Sequence, residues 1–272
     1  MSVVVIIPAR YASTRLPGKV LADIAGKPMI AHVLRRAQEA RGVDRVLVAT
    51  DDERIAAAVE ASGGDAVMTR SDHASGTDRI AEVARELAAD IVVNVQGDLP
   101  MLEPSYVEAA VSALEGADGA GGGREAPVMS TLATPLAAEE RERDQVVKVV
   151  CDRRGDALYF SRSPIPWRDR SGAGGNGSSG AAALRHIGLY AYRRPFLLEL
   201  ARLEPTPLER SERLEQLRVL EHGFRCRVAI VEASESMIEV DTPEDLERIR
   251  RLFAVRPVRE ELGGNAMRER HG

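Results

Sequence analysis

The stretch VVVIIPARYASTRLPGKVLADIAGKPMIAHVLRRA, residues 3–37, decides the fold class. Val3 to Ile7 is an unbroken apolar run bounded by Pro8, the pattern of a strand buried on both faces. Ile30, Val33, Leu34 and Ala37 then recur at helical spacing, which predicts a helix with one buried stripe. The alternation continues outward. Strands are expected at Arg45 to Ala49, Ala66 to Thr69 and Ile91 to Val95, with helices at Glu53 to Ala61 and over Ile80, Val83, Ala84 and Leu87. Repeated strand and helix signals of this kind mean a mostly parallel sheet with helices on both faces, an α/β fold.

After the Gly/Ala-rich stretch 116–123 the pattern changes. Strands are expected at Val128 to Ala133, Val146 to Val150 and Ala157 to Phe160, the last two joined by the turn residues Asp152 to Asp156, so this part reads as antiparallel. Leu184 to Tyr192 returns as a strand. A helix over Glu212 to Leu220, strands at Arg227 to Val231 and Met237 to Val240, and a helix begun by Thr242, Pro243 and Asp245 complete the chain. The expected organisation is one domain over 1–253, with a strand-rich excursion at about 127–200, and a polar tail over 254–272.

Composition removes several function classes. The 272 residues are 44% hydrophobic and 29% charged, a globular balance. With 37 Lys and Arg against 42 Asp and Glu the net charge is -5, which does not suit a nucleic-acid coat. One Trp, five Tyr and four Phe are too few for base-stacking platforms. Cys151 and Cys226 lack metal-ligand spacing and suit a reduced cytoplasmic setting as small buried hydrophobes. The run Val3 to Ile7 is too short for a signal-peptide core or a membrane span. GAGGNG at 172–177 matches the dinucleotide fingerprint literally, but prolines and arginines precede it where a strand is required, so it reads as a loop.

Four constellations carry chemistry. PARYASTRLPGK, residues 8–19, places Arg10, Arg15 and Lys19 just after the first strand, with no acid before Asp23. Such a loop can bring backbone N–H groups and cations round a polyphosphate; the competing reading is a solvated basic turn. It does not have Walker A spacing. In NVQGD, residues 94–98, Asn94, Gln96 and Asp98 alternate onto one side at a strand end, and Asp241 stands likewise between a strand and a helix. Two such carboxylates suit Mg²⁺, which keeps its other positions for phosphate and water. Singly they read as a turn residue and a helix cap. In HASGTDR, residues 73–79, Ser75 and Gly76 open a helix whose N–H groups can meet an anion or a base edge, although ordinary capping explains them equally. His186, Gly188 and Tyr190 share a strand face, and the glycine leaves room for a sugar between two rings.

Taken in order with VVKVV, ALYFSRSPIPW, LRHIGLYAYR, LEQLRVL and VDTPEDLE, these motifs resemble the 3-deoxy-manno-octulosonate cytidylyltransferase family, the CMP-Kdo synthetases, over roughly residues 2–253. The resemblance implies a nucleotide-diphospho-sugar-transferase-like fold, a homodimer formed through the strand-rich excursion, and the reaction of CTP with Kdo to CMP-Kdo and pyrophosphate for lipopolysaccharide assembly. By position it implies that Arg10, Arg15 and Lys19 grip the triphosphate and that Ser75, Gly76 and Gln96 meet cytosine and ribose. Asp98 and Asp241 are implied to hold Mg²⁺, and Lys19, Asp98 and Asp241 to be catalytic. Arg79, Arg162, His186, Tyr190, Glu215 and Gln216 are implied to face the sugar, with Arg162 and His186 nearest its carboxylate.

One departure stands out. Many members read Gln-Gly-Asp-Glu-Pro, whereas Leu99 follows Asp98 here, which bears on whether amino-substituted Kdo is preferred. The alternatives are a cytidylyltransferase for amino-Kdo or a sialic-type acid, and a catalytically silent sugar-nucleotide-binding protein. No nucleic-acid partner and no membrane insertion are expected.

Overall fold

The computed structural model describes residues 1–12, 16–116, 126–167, 183–234 and 237–255. Strand β1 (Val3–Ala9) leads through a 3-10 turn (Lys19–Leu21) and a small ribbon, β2 (Asp23–Ile24) with β3 (Lys27–Pro28), into helix α1 (Met29–Gln38). Then follow β4 (Arg45–Thr50), α2 (Glu53–Ala61), β5 (Asp65–Met68), α3 (Gly76–Arg85), β6 (Ile91–Asn94) and α4 (Pro104–Glu115). The second half holds β7 (Met129–Pro135), β8 (Lys148–Cys151), β9 (Ala157–Ser161), β10 (Leu184–Arg193), α5 (Arg194–Leu200), α6 (Pro207–Glu212), α7 (Gln216–Glu221), β11 (Cys226–Ile230) and α8 (Pro243–Val255).

Among the described residues nine strands form one sheet along the path β11-β7-β10-β6-β1-β4-β5, with β8 paired to β10 and β9 to β8. β1 pairs in parallel with β4 and β6, and β10 is the antiparallel strand wedged between β6 and β7. β8 and β9 form the expected antiparallel hairpin. Its turn is built by Asp152, whose Oδ1 accepts from Arg154 N at 2.8 Å and Asp156 N at 3.0 Å, while Gly155 supplies the left-handed φ of 83°.

The run VVVII lacks alternation because both of its faces are buried. Val3, Val5 and Ile7 enter a core with the apolar stripes of α1, α2 and α4, while Val4 and Ile6 enter a second core with α3, α5 and α7. Each fully buried aliphatic side chain there contributes about 1.5–3 kcal/mol. The helices therefore cover both faces, and the loops at the carboxyl ends of the parallel strands are left for chemistry.

Two boundaries differ from the periodic reading. Residues 237–240 form no strand; a single backbone bond, Val240 N to Asp98 O at 3.0 Å, ties them alongside the end of β6. The helix expected over Glu212 to Leu220 is split, because Arg213 takes a left-handed φ of 55° and closes α6 before α7 begins. Apolar spacing carries on across that break, which is why periodicity misses it. Cys226 is fully buried, but Cys151 is only half-buried, lying at the end of β8 beside its exposed turn. Among the described residues no helix is long and apolar enough to cross a membrane. The glycine-rich segment 171–180, Arg15 and the tail from residue 256 lie outside the described residues.

Candidate active site

The carboxyl edge of the sheet brings three distant segments to one ammonium group. Lys19, on the 3-10 turn, donates from Nζ to Asp98 Oδ2 at 2.6 Å, to Asp241 Oδ1 at 2.9 Å and to Val240 O at 3.0 Å. Burial alone would lower the Lys19 pKa, but the two carboxylates outweigh it and raise it. Gly97 sets the approach of Asp98, since a Cβ there would stand only 3.2 Å from Pro8 O at the end of β1. Asp241 is oriented by the cap of α8: Asp245 Oδ2 accepts from Asp241 N at 3.2 Å and Thr242 N at 2.9 Å, and Asp245 N donates back to Thr242 Oγ1 at 3.2 Å.

The other oxygen of Asp98, Oδ1, is buried and has no hydrogen-bond partner among the described residues. A buried carboxylate oxygen without a donor is costly unless a cation completes it. Two converging carboxylates with one such atom fit a hard divalent ion such as Mg²⁺.

A second cluster adjoins the first. Ser75 caps α3 with Asp78 in a reciprocal box, with bonds of 3.1 Å from Asp78 N to Ser75 Oγ and from Ser75 N to Asp78 Oδ2. Gly76 lies against Pro8, where a Cβ would be 3.4 Å from Pro8 Cγ, so the start of α3 faces the end of β1. Thr77 donates to Glu215, whose carboxyl burial pushes up in spite of that bond and of Arg218. Gln216 accepts from Tyr190 OH at 3.4 Å, and its buried Nε2 has no partner among the described residues. Gln96 Nε2 donates to Asn94 Oδ1 at 3.2 Å, and Asn94 lies opposite Tyr190 in the β6–β10 register.

His186 packs edge-on to Phe160 at 5.0 Å and 5.6 Å from the Tyr190 ring, and its Nε2 shares a 2.9 Å hydrogen bond with Thr131 Oγ1. Burial pushes its pKa down to about 3. It is a neutral imidazole at ordinary pH and brings no charge to the cluster.

Other expected positions stand further off or are already engaged. Arg79 is turned to the ends of β4 and β5, where it pairs with Asp51 at 3.0 Å and donates to Thr69. Arg162 donates to Glu212 O at 2.9 Å and Asp144 O at 3.1 Å. Arg10 is exposed and makes no ion pair among the described residues. Leu99 is 3% exposed and packs into the core with Val20, Ile30 and Leu102. Its side chain belongs to the core and brings no polar atom to the carboxylates.

Three residues escape sequence reasoning. Glu239 borders both clusters: a Cβ on Gly188 would be 3.9 Å from its Oε1, and although the residue is exposed overall, desolvation of its carboxyl and the charges of Asp98 and Asp241 push its pKa up. Its place two residues before Asp241 was the available signal. Lys148, in VVKVV, is fully buried and donates to Arg143 O at 2.9 Å, Val146 O at 2.7 Å and Arg162 O, so it holds the backbone on which Arg162 stands. Glu212 accepts from Ser161 Oγ at 2.6 Å and Arg162 N at 2.9 Å, fixing the same segment.

Comparison with known proteins gives the chain a family. The cytidylyltransferase family profile matches residues 4–252. A 3-deoxy-manno-octulosonate cytidylyltransferase of Anaeromyxobacter sp. (strain Fw109-5) is 54% identical, covering 94% of this chain and 98% of its own. The chain belongs to the 3-deoxy-manno-octulosonate cytidylyltransferase family. The cytidylyltransferase of that name from Geobacter metallireducens (strain ATCC 53774 / DSM 7210 / GS-15) is 51% identical, covering 92% of this chain and 96% of its own. A solved structure of CMP:2-keto-3-deoxy-manno-octonic acid synthetase complexed with CTP superposes with a TM-score of 0.85 at 45% identity, over 94% of this chain and all of that one. The cytidylyltransferase fold and the position of the Lys19 cluster at its strand ends are thus found together in one chain.

Proposed function

We propose that this chain activates Kdo by joining it to CTP, releasing pyrophosphate and forming CMP-Kdo. The observation that carries the reading is the convergence of Asp98 and Asp241 on Lys19 at the strand ends, beside the cationic loop. In this reading Arg10, Arg15 and Lys19 take the triphosphate, and Ser75, Gly76 and Gln96 meet cytosine and ribose. Tyr190, His186, Glu215 and Gln216 line the sugar, with Gln216 Nε2 as a ready donor. Arg79 and Arg162 join them only by exchanging their present partners.

The anomeric hydroxyl of Kdo attacks the α-phosphorus as the bond to pyrophosphate breaks, so the protein has to align reactants and balance charge. Lys19 carries the charge best placed to meet the departing phosphates. Asp98 and Asp241 would hold Mg²⁺, which when bound neutralises phosphate charge and lowers the pKa of a coordinated hydroxyl. A homodimer through the strand-rich excursion is supported by Leu158 and Trp167, large apolar residues left 62% and 82% exposed there. Free Cys151 and Cys226 and the use of CTP suit the cytoplasm.

The test is pyrophosphate release from CTP with Kdo, amino-Kdo or sialic acid, each with and without Mg²⁺. Release with Kdo and Mg²⁺ supports the reading. Release only with another acid sugar reassigns the substrate, and none with any of them leaves a binding protein.

A further inference from the structure

We infer that Glu239 is a specificity-determining residue of the sugar site: its carboxyl accepts hydrogen bonds from sugar hydroxyls beside Gly188 and keeps the sugar's own carboxylate away. The inference deepens the Kdo reading above and rests on it.

The strand β10 opens next to this residue. Its register against β7 shifts between Ile187 and Tyr190, and within that bulge Thr131 Oγ1 meets Ile187 O at 3.1 Å and Leu189 O at 2.9 Å. Bulges re-aim side chains and often border binding sites. Gly188 lies in the bulge and leaves open space. Apart from its chain neighbours, the one described atom that a Cβ there would meet within 4 Å is Glu239 Oε1, at 3.9 Å. On either side of Gly188 in the chain stand His186 and Tyr190, with ring centroids 5.6 Å apart. Tyr190 OH donates to Gln216 Oε1 at 3.4 Å, while Gln216 Nε2, in a residue only 5% exposed, has no partner among the described residues. A buried amide donor in that state is costly until a ligand oxygen meets it, so this face is built to receive a polar molecule.

Glu239 is exposed and makes no hydrogen bond or ion pair among the described residues. Among those residues no three His, Cys, Asp or Glu side chains are grouped closely enough to hold an ion, so Glu239 does not join Asp98 and Asp241 as a third ligand. Its carboxyl is left for the substrate. Kdo carries several hydroxyls and one carboxylate. Carboxyl oxygens accept from hydroxyls, whereas a second carboxylate placed among Glu239, Asp98 and Asp241 meets like charge. Glu239 thereby favours the hydroxyl-bearing side of the sugar at Gly188 and opposes the reversed orientation.

The experiment measures kcat and KM for Kdo, and for deoxy analogues each lacking one hydroxyl, in the full-length wild type, Glu239→Gln and Glu239→Ala. CTP affinity by calorimetry and the Mg²⁺ dependence of the rate are followed alongside. KM for Kdo is expected to rise about tenfold in Glu239→Ala and less in Glu239→Gln, which keeps one acceptor oxygen, with CTP affinity and Mg²⁺ dependence unchanged. The wild type should reject one deoxy analogue by about tenfold or more relative to Kdo, and Glu239→Ala should treat the two alike. An unmoved KM for Kdo in Glu239→Ala, or the same discrimination among analogues in wild type and variant, would overturn the inference. So would a shifted Mg²⁺ dependence with sugar discrimination intact, which gives Glu239 to the ion. Should Glu239→Ala melt early, the analogue ratios of Glu239→Gln, which keeps the shape of the side chain, decide the matter. A wild type that releases no pyrophosphate with Kdo overturns the Kdo reading and this inference together; an active wild type beside unchanged variants overturns this inference alone.

Discussion

Asp98 Oδ2 accepts a 2.6 Å hydrogen bond from the Lys19 ammonium, and this contact binds the end of β6 to the turn that follows β1. Because Asp241 shares the ammonium, Lys19→Met removes the cation that two partly buried carboxylates have in common. Turnover is expected to fall by roughly 10² or more, and stability by about 1–3 kcal/mol. Thermal melts with and without Mg²⁺ check the second part: the ion should restore most of the lost melting temperature in Lys19→Met and add less to the wild type. Asp98→Asn is expected to abolish turnover with an unchanged far-UV spectrum, and near wild-type rates would refute the role given to Asp98.

Asp245 holds the start of α8 and the backbone of Asp241 with the same oxygen. Asp245→Ala is expected to cost about 1 kcal/mol, as loss of a helix cap does. If Asp241 depends on that cap, activity drops further than the small shift in denaturation midpoint explains. Equal activity per folded molecule would show that Asp241 is positioned without it.

Gly188 faces Glu239 across the cleft with room for a methyl group, so Gly188→Ala should fold normally. The added carbon occupies space assigned to the sugar. KM for Kdo is expected to rise roughly tenfold while CTP affinity stays constant. A sugar KM that does not move would place the ring elsewhere.

His186 yields a pH dependence whose sign follows from its burial. Its pKa falls from the ordinary 6.5 to about 3 in the folded chain, so between those values the unfolded chain binds a proton that the folded chain refuses. The stability it contributes is full above 6.5 and is lost progressively as pH falls toward 3. Urea midpoints at a series of pH values should decline more steeply on acidification in the wild type than in His186→Gln. Parallel curves would mean that His186 is protonated in the fold.

Burial pushes the Cys151 thiol up to about 11 and that of Cys226 higher still. Thiolate is the reactive form, so both should resist iodoacetamide in the native chain at mildly alkaline pH and react once urea unfolds it. Rapid labelling of the native chain would contradict this.

Much of the scaffold is legible in the chain because its signals are local. The unbroken VVVII run and the spacing of Ile30, Val33, Leu34 and Ala37 reflect burial that each segment undergoes wherever its neighbours lie. Capping is local too: Ser75 with Asp78, and Thr242 with Asp245, satisfy N–H groups within one turn. The break at Arg213 was not legible, since a single left-handed residue interrupts a helix without disturbing apolar spacing. Nor was the route of residues 237–240, whose apolar composition resembles a strand but whose backbone joins the sheet edge by one bond.

The sequence by itself determined the α/β class, the cationic loop and the two aspartates worth watching, because residue type and short-range spacing carry that information. Only the tertiary structure decided that Lys19 stands between Asp98 and Asp241, that Arg79 is engaged with Asp51, that Leu99 turns into the core and that Glu239 enters the cleft. Each of these depends on which distant segment arrives beside a side chain. Charge and burial act through distances of a few ångströms in space, and separation along the chain does not specify them.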